Sequence, residues 1–409
     1  MKRGYSILIC FFLLFPVAMV SAAELELGGE LKQVLVYHID QGLERGESIY
    51  QLEVEKGLGL DGKLYLALEG EYNQLTRKSQ LGLGEAYTAV YLENVDLILG
   101  RQVINWGTAD GINPTNSINP VDLNSFILGE LKGEPVLALQ SAYYGEQLYL
   151  TGVAVFDYLP QDLAFGVAEL PGEIKLGKEP ENTPDNFEYA LKAETSFGHF
   201  DWQLSYFRGW DDLPALIYSV AIDPLLMQPV AGSEEISGIY RRLDKIGLAA
   251  SGTINSAGLW GEAAYAIPEE VVIDKRDPLK QQILLGVNEP YIQAVIGSDY
   301  TLENGLYLQG QYLYHGNGLL FNPYQPPDQE IKASQYLIGR LSYQIGLNGT
   351  IESTAIFPLD QGSVMIIPVY THALTQVTAL KIGGVFGAGE GDEFEALSRQ
   401  LILTLQTSF

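Results

Sequence analysis

Hydrophobic and polar positions alternate along most of this chain. In NGLYLQGQYLYH (304–315), Leu306, Leu308 and Tyr312 share one face, and Gln309 and Gln311 share the other. The same period of two recurs in GKLYLALEGEY (62–72), FEYALKAE (187–194) and HFDWQLSYF (199–207). Because successive side chains of a strand point to opposite faces, this period predicts an all-β protein. A soluble sandwich and a membrane barrel would both produce it.

The spacing of the predicted turns separates these two classes. Eight short connections, near residues 57–62, 93–96, 145–147, 198, 255–258, 303–305, 346–349 and 373–375, alternate with nine longer ones. The longer ones are 38–48, 73–82, 102–133, 158–185, 210–240, 268–288, 315–333, 358–362 and 388–396. This alternation predicts a transmembrane antiparallel β-barrel of about 18 strands, with 16 possible. Its short turns would be periplasmic and its long loops would face outward.

Both ends of the chain fit an outer-membrane barrel. Residues 1–23 have the basic start, apolar stretch and small residues of a signal peptide, which leaves residues 24–409 as a single barrel. The last segment, LILTLQTSF, alternates and ends on Phe409. It looks like the terminal strand signal that the barrel-assembly machinery recognises. We therefore expect the cell outer membrane of a diderm bacterium, with outer-membrane lipid around the barrel.

Composition narrows the function. The formal net charge of −27 leaves no basic patch for phosphates, so nucleic acid is excluded as a partner. With 47% hydrophobic and 11% aromatic residues, the chain is too apolar to be disordered. Its only cysteine, Cys10, lies in the predicted signal peptide, so no disulfide is expected.

The longest Asn- and Pro-containing connection, loop 102–133, follows the apolar strand that ends near Arg101. Pro114 and Pro120 restrict the backbone, and the Asn and Asp side chains can bond to their own backbone. Such a loop keeps its polar groups satisfied inside a lumen. We predict that it narrows the pore, with a constriction formed by Arg101, Asn105, Trp106, Asp110, Asn113, Asn116, Asn119 and Asp122.

Part of this loop resembles a known family. Gly100-Arg101-Gln102, Trp106-Gly107 and the segment INPVD (118–122) resemble a family of bacterial outer-membrane barrels of unassigned function. The Gly-Arg-Gln part is also similar to alginate-export porins, which are eighteen-stranded. The resemblance implies a porin-like barrel. This chain has Thr108 and Ala109 where that family has Ser or Glu, and its acidity argues against alginate as a solute.

Four constriction residues have a second interpretation. Strict alternation places Arg101 with Leu97 and Leu99 on the lipid face, so it either turns into the pore at a bulge or reaches the rim. Trp106 could instead belong to the aromatic belt at the outer interface. Asp110 and Asp122 could cap turns rather than contact ions.

The residues expected to face the lumen are mostly acidic. Those with clear alternation include Glu30, Lys32, Glu53, Glu55, Glu69, Glu188, Lys192, Glu194 and Asp201. Acidic walls around water favour cations. The predicted function is therefore passive diffusion of small solutes through a porin-like channel that prefers cations. Alternatively, these acids only solvate a polar interior.

Two other readings remain open. The segment 211–235 has an apolar middle broken by three prolines, so it could gate a channel for amphiphilic compounds or contact a second copy in a homo-oligomer. A structural or adhesive barrel is the other alternative. An enzyme is not expected, because the four histidines are scattered and His315 has no evident partner. No catalytic residue, metal site or cofactor is predicted.

Overall fold

Antiparallel strands account for most of this computed structural model. It describes residues 25–59, 61–122, 131–161, 170, 174–273, 277–321, 324, 327, 331–389, 394 and 399–409. The predicted signal peptide lies outside the described residues, so the division into signal peptide and barrel stays a prediction. No helix in the described ranges is long and apolar enough to cross a membrane.

Eighteen strands form one closed antiparallel sheet, which confirms the predicted barrel and its strand number. They are β1 (Leu25–His38), β2 (Gly42–Gly57), β3 (Gly62–Asn73), β4 (Lys78–Tyr91), β5 (Val95–Gln102), β8 (Val136–Tyr144), β9 (Tyr149–Val155), β11 (Glu188–Phe197), β12 (Phe200–Trp210), β15 (Arg242–Ile254), β16 (Ala257–Pro268), β18 (Tyr291–Thr301), β19 (Tyr307–His315), β20 (Ser334–Ile345), β21 (Gly349–Pro358), β22 (Ser363–Ala373), β23 (Thr378–Gly389) and β24 (Gln400–Ser408). Pairing of β1 with β24 closes the barrel.

The remaining strands belong to the connections at one end of the barrel. They are β6 (Val121–Asp122), β7 (Lys132–Gly133), β10 (Ile174–Leu176), β13 (Ala215–Ala221), β14 (Glu235–Ile239) and β17 (Lys280–Leu284). β6 pairs with β7, whereas β10, β14, β13 and β17 form a separate four-stranded sheet. The long connections therefore contain regular structure of their own.

The predicted alternation corresponds to an apolar outer wall and a mixed inner wall. On β1, Leu27, Leu31 and Leu35 are exposed on the outside, whereas Val34 and Val36 are buried in the interior. A closed barrel satisfies every backbone group by strand pairing and needs no water on its outer wall. The outer wall is thus suited to lipid.

Three of the nine connections predicted to be long are short. Only residues 39–41 separate β1 from β2, 74–77 separate β3 from β4, and 359–362 separate β21 from β22. In the first two cases the strands continue through the polar positions that had been interpreted as loop. Polar residues there are compatible with strands because these parts of the strands lie at the barrel end, where both faces meet water.

Candidate functional site

The described parts of loop 102–133, residues 102–122 and 131–133, run inside the barrel. Its residues Ile104, Trp106 and Ile118 are buried against inward-facing residues of β8, β9, β11 and β12. Farther along, Ala109 and Ile112 pack against an apolar cluster on the opposite wall, formed by inward-facing residues of β1 and β18 to β24. The loop therefore contacts both sides of the lumen.

Glu262 of β16 holds the loop in this position. Its Oε1 accepts hydrogen bonds from the backbone N–H groups of Thr108 and Ala109, the latter at 2.6 Å. Its Oε2 accepts bonds from the N–H and the hydroxyl of Thr115, at 3.3 and 2.8 Å. The residue is only 4% exposed. Four donors thus surround a carboxylate that would otherwise be costly to bury.

Gly107 makes room for this carboxylate. Its φ of +100° is a conformation that L side chains rarely adopt, and a Cβ there would lie 2.7 Å from Glu262 Oε1. The Trp-Gly pair recognised in the sequence is explained by this geometry: the tryptophan packs against the wall, and the glycine lets the backbone approach the carboxylate.

Asn119 fastens the two ends of the loop to each other. Its Nδ2 donates to the carbonyls of Gln102 (3.1 Å) and Glu134 (2.7 Å), and its Oδ1 accepts from the N–H of Ile104 (2.7 Å). Asn116 accepts a bond from the N–H of Trp106 at 3.3 Å. These side chains replace the backbone pairing that a strand would supply.

A cavity of about 880 Å³ lies between the loop and the wall formed by β18 to β23. The predicted constriction residues Asn105, Asp110, Asn113, Asn116 and Asn119 line it. It is lined by equal numbers of acidic and basic residues: Asp110, Asp212 and Glu352, and Lys245, Arg340 and Lys381. Ile338, Ile356 and Ile367 give it an apolar side.

Asp110 at the tip of the loop faces Arg340 on the barrel wall. The Asp110 carboxylate lies 3.5 Å from Arg340, whose other nitrogen donates to Glu352 at 2.8 Å. The Asp110 carbonyl accepts a bond from Gln311 at 3.3 Å. The guanidinium of Arg340 thus bridges an acid of the loop, Asp110, and an acid of the wall, Glu352.

Three of the eight predicted constriction residues do not line the cavity. The register of β5 with β4 and β8 continues through Arg101, so this residue stays on the outer face with Leu97 and Leu99. The favoured placement of Arg101 in the pore is wrong, because the unusual backbone at Gly100 (φ +144°) does not shift the pairing. Asp122 lies in β6, and its side chain is outside what the structure describes.

Trp106 fits neither of its two interpretations. It is 4% exposed and lies between the loop and the wall, with the Lys192 ammonium 5.4 Å from its ring centre. It is therefore neither part of the cavity lining nor at the outer interface. An indole that packs on both the loop and the wall excludes water from the contact between them.

The predicted lumen charges face inward, away from this cavity. Glu30 pairs with Lys32, and Lys192 pairs with Glu194, both at 3.0 Å. Glu53 accepts a bond from Gln51 at 3.0 Å, and Glu55 pairs with Lys63 at 3.1 Å. The remaining three are Glu69 on β3, Asp201, which accepts from Ser196, and Glu188, which is buried and accepts from the N–H of Trp210 at 2.8 Å.

The sequence analysis missed Glu262, Arg340, Lys245, Lys381, Glu352 and Asp212. A signal existed for Glu262, since it is an acid among Gly and Ala in GLWGEAAYA (258–266), where small neighbours leave space for a loop. Its partners could not be identified, because they lie 147 to 154 residues earlier in the chain.

Asp212 lies at the end of the cavity that carries the long connections. Burial raises the pKa of its carboxyl to about 7; the nearby Asp211 adds to this rise, and Lys245 opposes it. Asp211 itself is paired with the buried Arg241 at 3.1 Å. Asp212 therefore changes charge in the physiological pH range. The described residues contain no group of three or more His, Cys, Asp or Glu placed to hold a metal ion.

The similarity of this chain to known proteins is found in its structure. No family model matches the sequence, and no curated protein matches it. Similar solved structures include OccAB1 of Acinetobacter baumannii, with a TM-score of 0.55 and 8% identity over 94% of this chain and 96% of that one. OccK11 (OpdR) of Pseudomonas aeruginosa has a TM-score of 0.54 and 11% identity over 94% and 96% of the two chains.

OccD3 (OpdP) of the same organism also has a TM-score of 0.54, with 8% identity over 94% of this chain and 90% of that one. These neighbours are outer-membrane porins. At such low identity the likeness shows the fold, and the resemblance to the Gly-Arg-Gln family and to alginate-export porins stays a prediction. A closed 18-stranded barrel with an apolar outer wall is the fold of an outer-membrane protein, which gives the localisation.

Proposed function

We propose that this protein is an outer-membrane channel for passive diffusion of small solutes, and that loop 102–133 narrows its pore. The observation that carries this proposal is the attachment of the loop to both sides of the lumen, through Glu262 on β16 and through Asp110 beside Arg340 on β20. A loop fixed at these points leaves the 880 Å³ cavity as the path along the β18–β23 wall.

Cation preference is the second part of the proposal. The cavity itself has balanced charge, so the preference must come from the rest of the lumen. The inward faces of β2 and β3 carry more acids than bases: Glu47, Glu53, Glu55, Glu69 and Glu71 against Arg45 and Lys63. An acidic wall lowers the energy of cations in the adjacent water.

Chemical modification of a single introduced cysteine tests the loop. Residues 24–409 contain no cysteine, so an Asp110→Cys variant has one reactive site. A negatively charged methanethiosulfonate reagent should lower the KCl conductance in a planar bilayer. A positively charged reagent should change this conductance by a different amount. Leu347→Cys, at a position 93% exposed in a short turn, is the matched control and should give no change. An unaltered conductance after complete labelling of Cys at position 110 would contradict the proposed constriction.

One observation favours a second candidate, a channel for amphiphilic compounds. The cavity combines an aliphatic side with charged groups, and Leu213, at the base of the 211–235 segment, also lines it. The hydroxyl of Tyr324 donates a hydrogen bond to the carbonyl of Pro214 at 2.7 Å. This bond joins the connection between β19 and β20 to the start of the 211–235 segment. We assign no enzymatic activity. Recognition of the strand ending at Phe409 by the barrel-assembly machinery, and formation of a homo-oligomer, stay predictions.

A further inference from the structure

Four residues that the pore constriction does not use meet at the short-turn mouth of the lumen. They are Tyr91 at the end of β4, Asp96 on β5, Tyr144 at the end of β8 and Tyr149 at the start of β9. Tyr91 is paired in register with Asp96, and the Tyr144 hydroxyl donates to Asp96 Oδ2 at 2.9 Å. They share the strand face of the buried Ala89 and Ala142, which is the inner face.

The rings are open to solvent. Tyr91, Tyr144 and Tyr149 are 37%, 45% and 40% exposed. Tyr144 and Tyr149 meet edge to face, with ring centres 5.9 Å apart and planes inclined by 65°. Together they form an aromatic corner beside a carboxylate, and a barrel that needed only a solvated rim would not require three aromatic rings there.

The charge of Asp96 is not neutralised by a cation. Within the described part of the chain, its hydrogen-bond partner is the neutral hydroxyl of Tyr144, and no Lys or Arg forms an ion pair with it. Two acids on the neighbouring inner faces differ, since Glu55 is paired with Lys63 and Glu194 with Lys192. Asp96 therefore leaves a negative charge next to exposed aromatic faces.

The same wall shows how such rings accommodate an ammonium group. The Lys63 ammonium lies 5.7 Å from the ring centre of Tyr65 and 5.8 Å from that of Tyr87, and these two rings stack at 5.2 Å. Cations over aromatic faces gain electrostatic attraction, and aromatic cages with a nearby carboxylate are suited to organic ammonium ions. A metal ion would require several oxygen ligands, whereas the second carboxylate beside this site, that of Glu194 opposite Tyr149, is already paired with Lys192 at 3.0 Å.

We propose that Asp96, Tyr91, Tyr144 and Tyr149 form a binding site for organic ammonium cations at the short-turn mouth of the lumen. The proposal deepens the proposed function, because it rests on the lumen being a cation-preferring path and names a class of cation. A quaternary or primary ammonium head would lie against the tyrosine rings with its charge toward Asp96, and the rest of the solute would extend into the lumen.

Choline chloride is the probe, and 3,3-dimethylbutan-1-ol is its neutral counterpart of the same shape. Binding to the full-length protein in detergent is measured by calorimetry, and block of the KCl current is measured separately in planar bilayers. We expect choline to bind and the neutral alcohol to bind at least about tenfold more weakly. Equal binding of the two compounds would overturn the proposal, because it would indicate a site that recognises shape alone.

Substitutions at Asp96 and Tyr144 test which side chains contact the bound choline. Asp96→Asn and Tyr144→Leu should each weaken choline binding about five- to tenfold, whereas Tyr144→Phe, which keeps the ring, should change it about twofold or less. Tyr143→Leu is the matched control, because Tyr143 is adjacent but faces outward, and it should bind as the original protein does. Unchanged binding in Asp96→Asn would overturn the proposal even if Tyr144→Leu failed to fold.

The two measurements separate this inference from the channel proposal. Choline binding by a protein that conducts no KCl would support the site and contradict the proposed channel. Conductance of KCl without choline binding would support the channel and overturn the site.

Discussion

Glu262 joins loop 102–133 to the barrel wall by four hydrogen bonds. A Glu262→Gln substitution keeps the shape but turns one acceptor oxygen into a donor. Whichever oxygen is replaced, at least one backbone N–H loses its partner. Hydrogen bonds to charged groups contribute about 1.5–3 kcal/mol each, so we expect a loss of about 2–4 kcal/mol in the free energy that holds the loop.

The expected result for Glu262→Gln is a larger and noisier single-channel conductance, together with a lower unfolding temperature. Glu55→Gln is the matched control, since Glu55 also faces the lumen but pairs with Lys63 rather than with the loop backbone. Indistinguishable conductance traces from Glu262→Gln and the original protein would contradict the anchoring role.

We predict that Asp212 makes the proposed channel sensitive to pH. Its pKa of about 7 is raised by burial and by Asp211, and Lys245 opposes the rise. Below pH 7 the carboxyl is neutral, so one negative charge disappears from the cavity. We expect the ratio of cation to anion permeability to fall between pH 8 and pH 6, as measured from zero-current potentials, and Asp212→Asn to show a flat profile over this range.

The raised pKa of Asp212 also affects the free energy of unfolding. Because the folded protein binds this proton more tightly than the unfolded chain, the contribution of Asp212 to the free energy of unfolding decreases as pH rises from about 4 to about 7. Above pH 7 it is constant. An Asp212→Asn variant should lose this part of the pH dependence in thermal unfolding, and a steeper dependence in the variant would be incompatible with a raised pKa.

At the scale of elements, the segment 211–235 is an ordered hairpin of β13 and β14 rather than an apolar loop. Leu216 and Ile236 are buried with Leu285 in the core of the four-stranded sheet. The turn is held by Asp223, whose carboxylate accepts the N–H groups of Leu225 and Leu226 at 2.7 and 2.9 Å. The apolar residues of β13 therefore pack this sheet, whereas Leu225, Leu226 and Met227 at the tip are exposed.

The tip of this hairpin does not line the cavity. Replacing residues 223–228 by Asn-Gly should leave the KCl conductance unchanged, since Leu225 at the tip is 90% exposed.

Leu216→Ala should destabilise the four-stranded sheet by about 2–5 kcal/mol, because it removes a fully buried side chain, and should increase current fluctuations. A rise in conductance on shortening the tip would instead favour the gated channel for amphiphilic compounds.

Most of the barrel strands could be predicted from the sequence, because a period of two and a regular spacing of turns define strands locally. The number of barrel strands was correct for this reason. The loop partners could not be predicted, since Thr108 meets Glu262 only through the closure of the barrel. Arg101 was misplaced because a glycine beside it suggested a bulge, and the pairing on both sides shows none.

At the scale of the whole molecule, the excess of acidic residues should appear as ion selectivity. The chain has a formal net charge of −27, and acids outnumber bases on the inner faces of β2 and β3. Zero-current potentials under a KCl gradient should have the sign of a cation-preferring channel. The preference should weaken toward 1 M salt, where charges are screened over about 3 Å instead of about 10 Å at 0.1 M.

The triple variant Glu53→Gln, Glu69→Gln, Glu71→Gln should reduce this potential without changing the pore size. Substitution of three exposed outer-end acids, Glu179, Glu181 and Glu270, by Gln serves as the control with an equal change of net charge. Equal effects of the two triple variants would mean that total charge, and not the lumen wall, determines the selectivity.

The bond between Glu262 and the loop also imposes an order on assembly. The loop follows β5, the fifth barrel strand, but its anchor lies on β16, the eleventh. Until β16 is paired between β15 and β18, nothing on that side can hold Thr108 and Ala109. The loop can therefore be fastened only once both β5 and β16 are in the sheet, which requires more than half of the eighteen strands whichever end of the chain is added first.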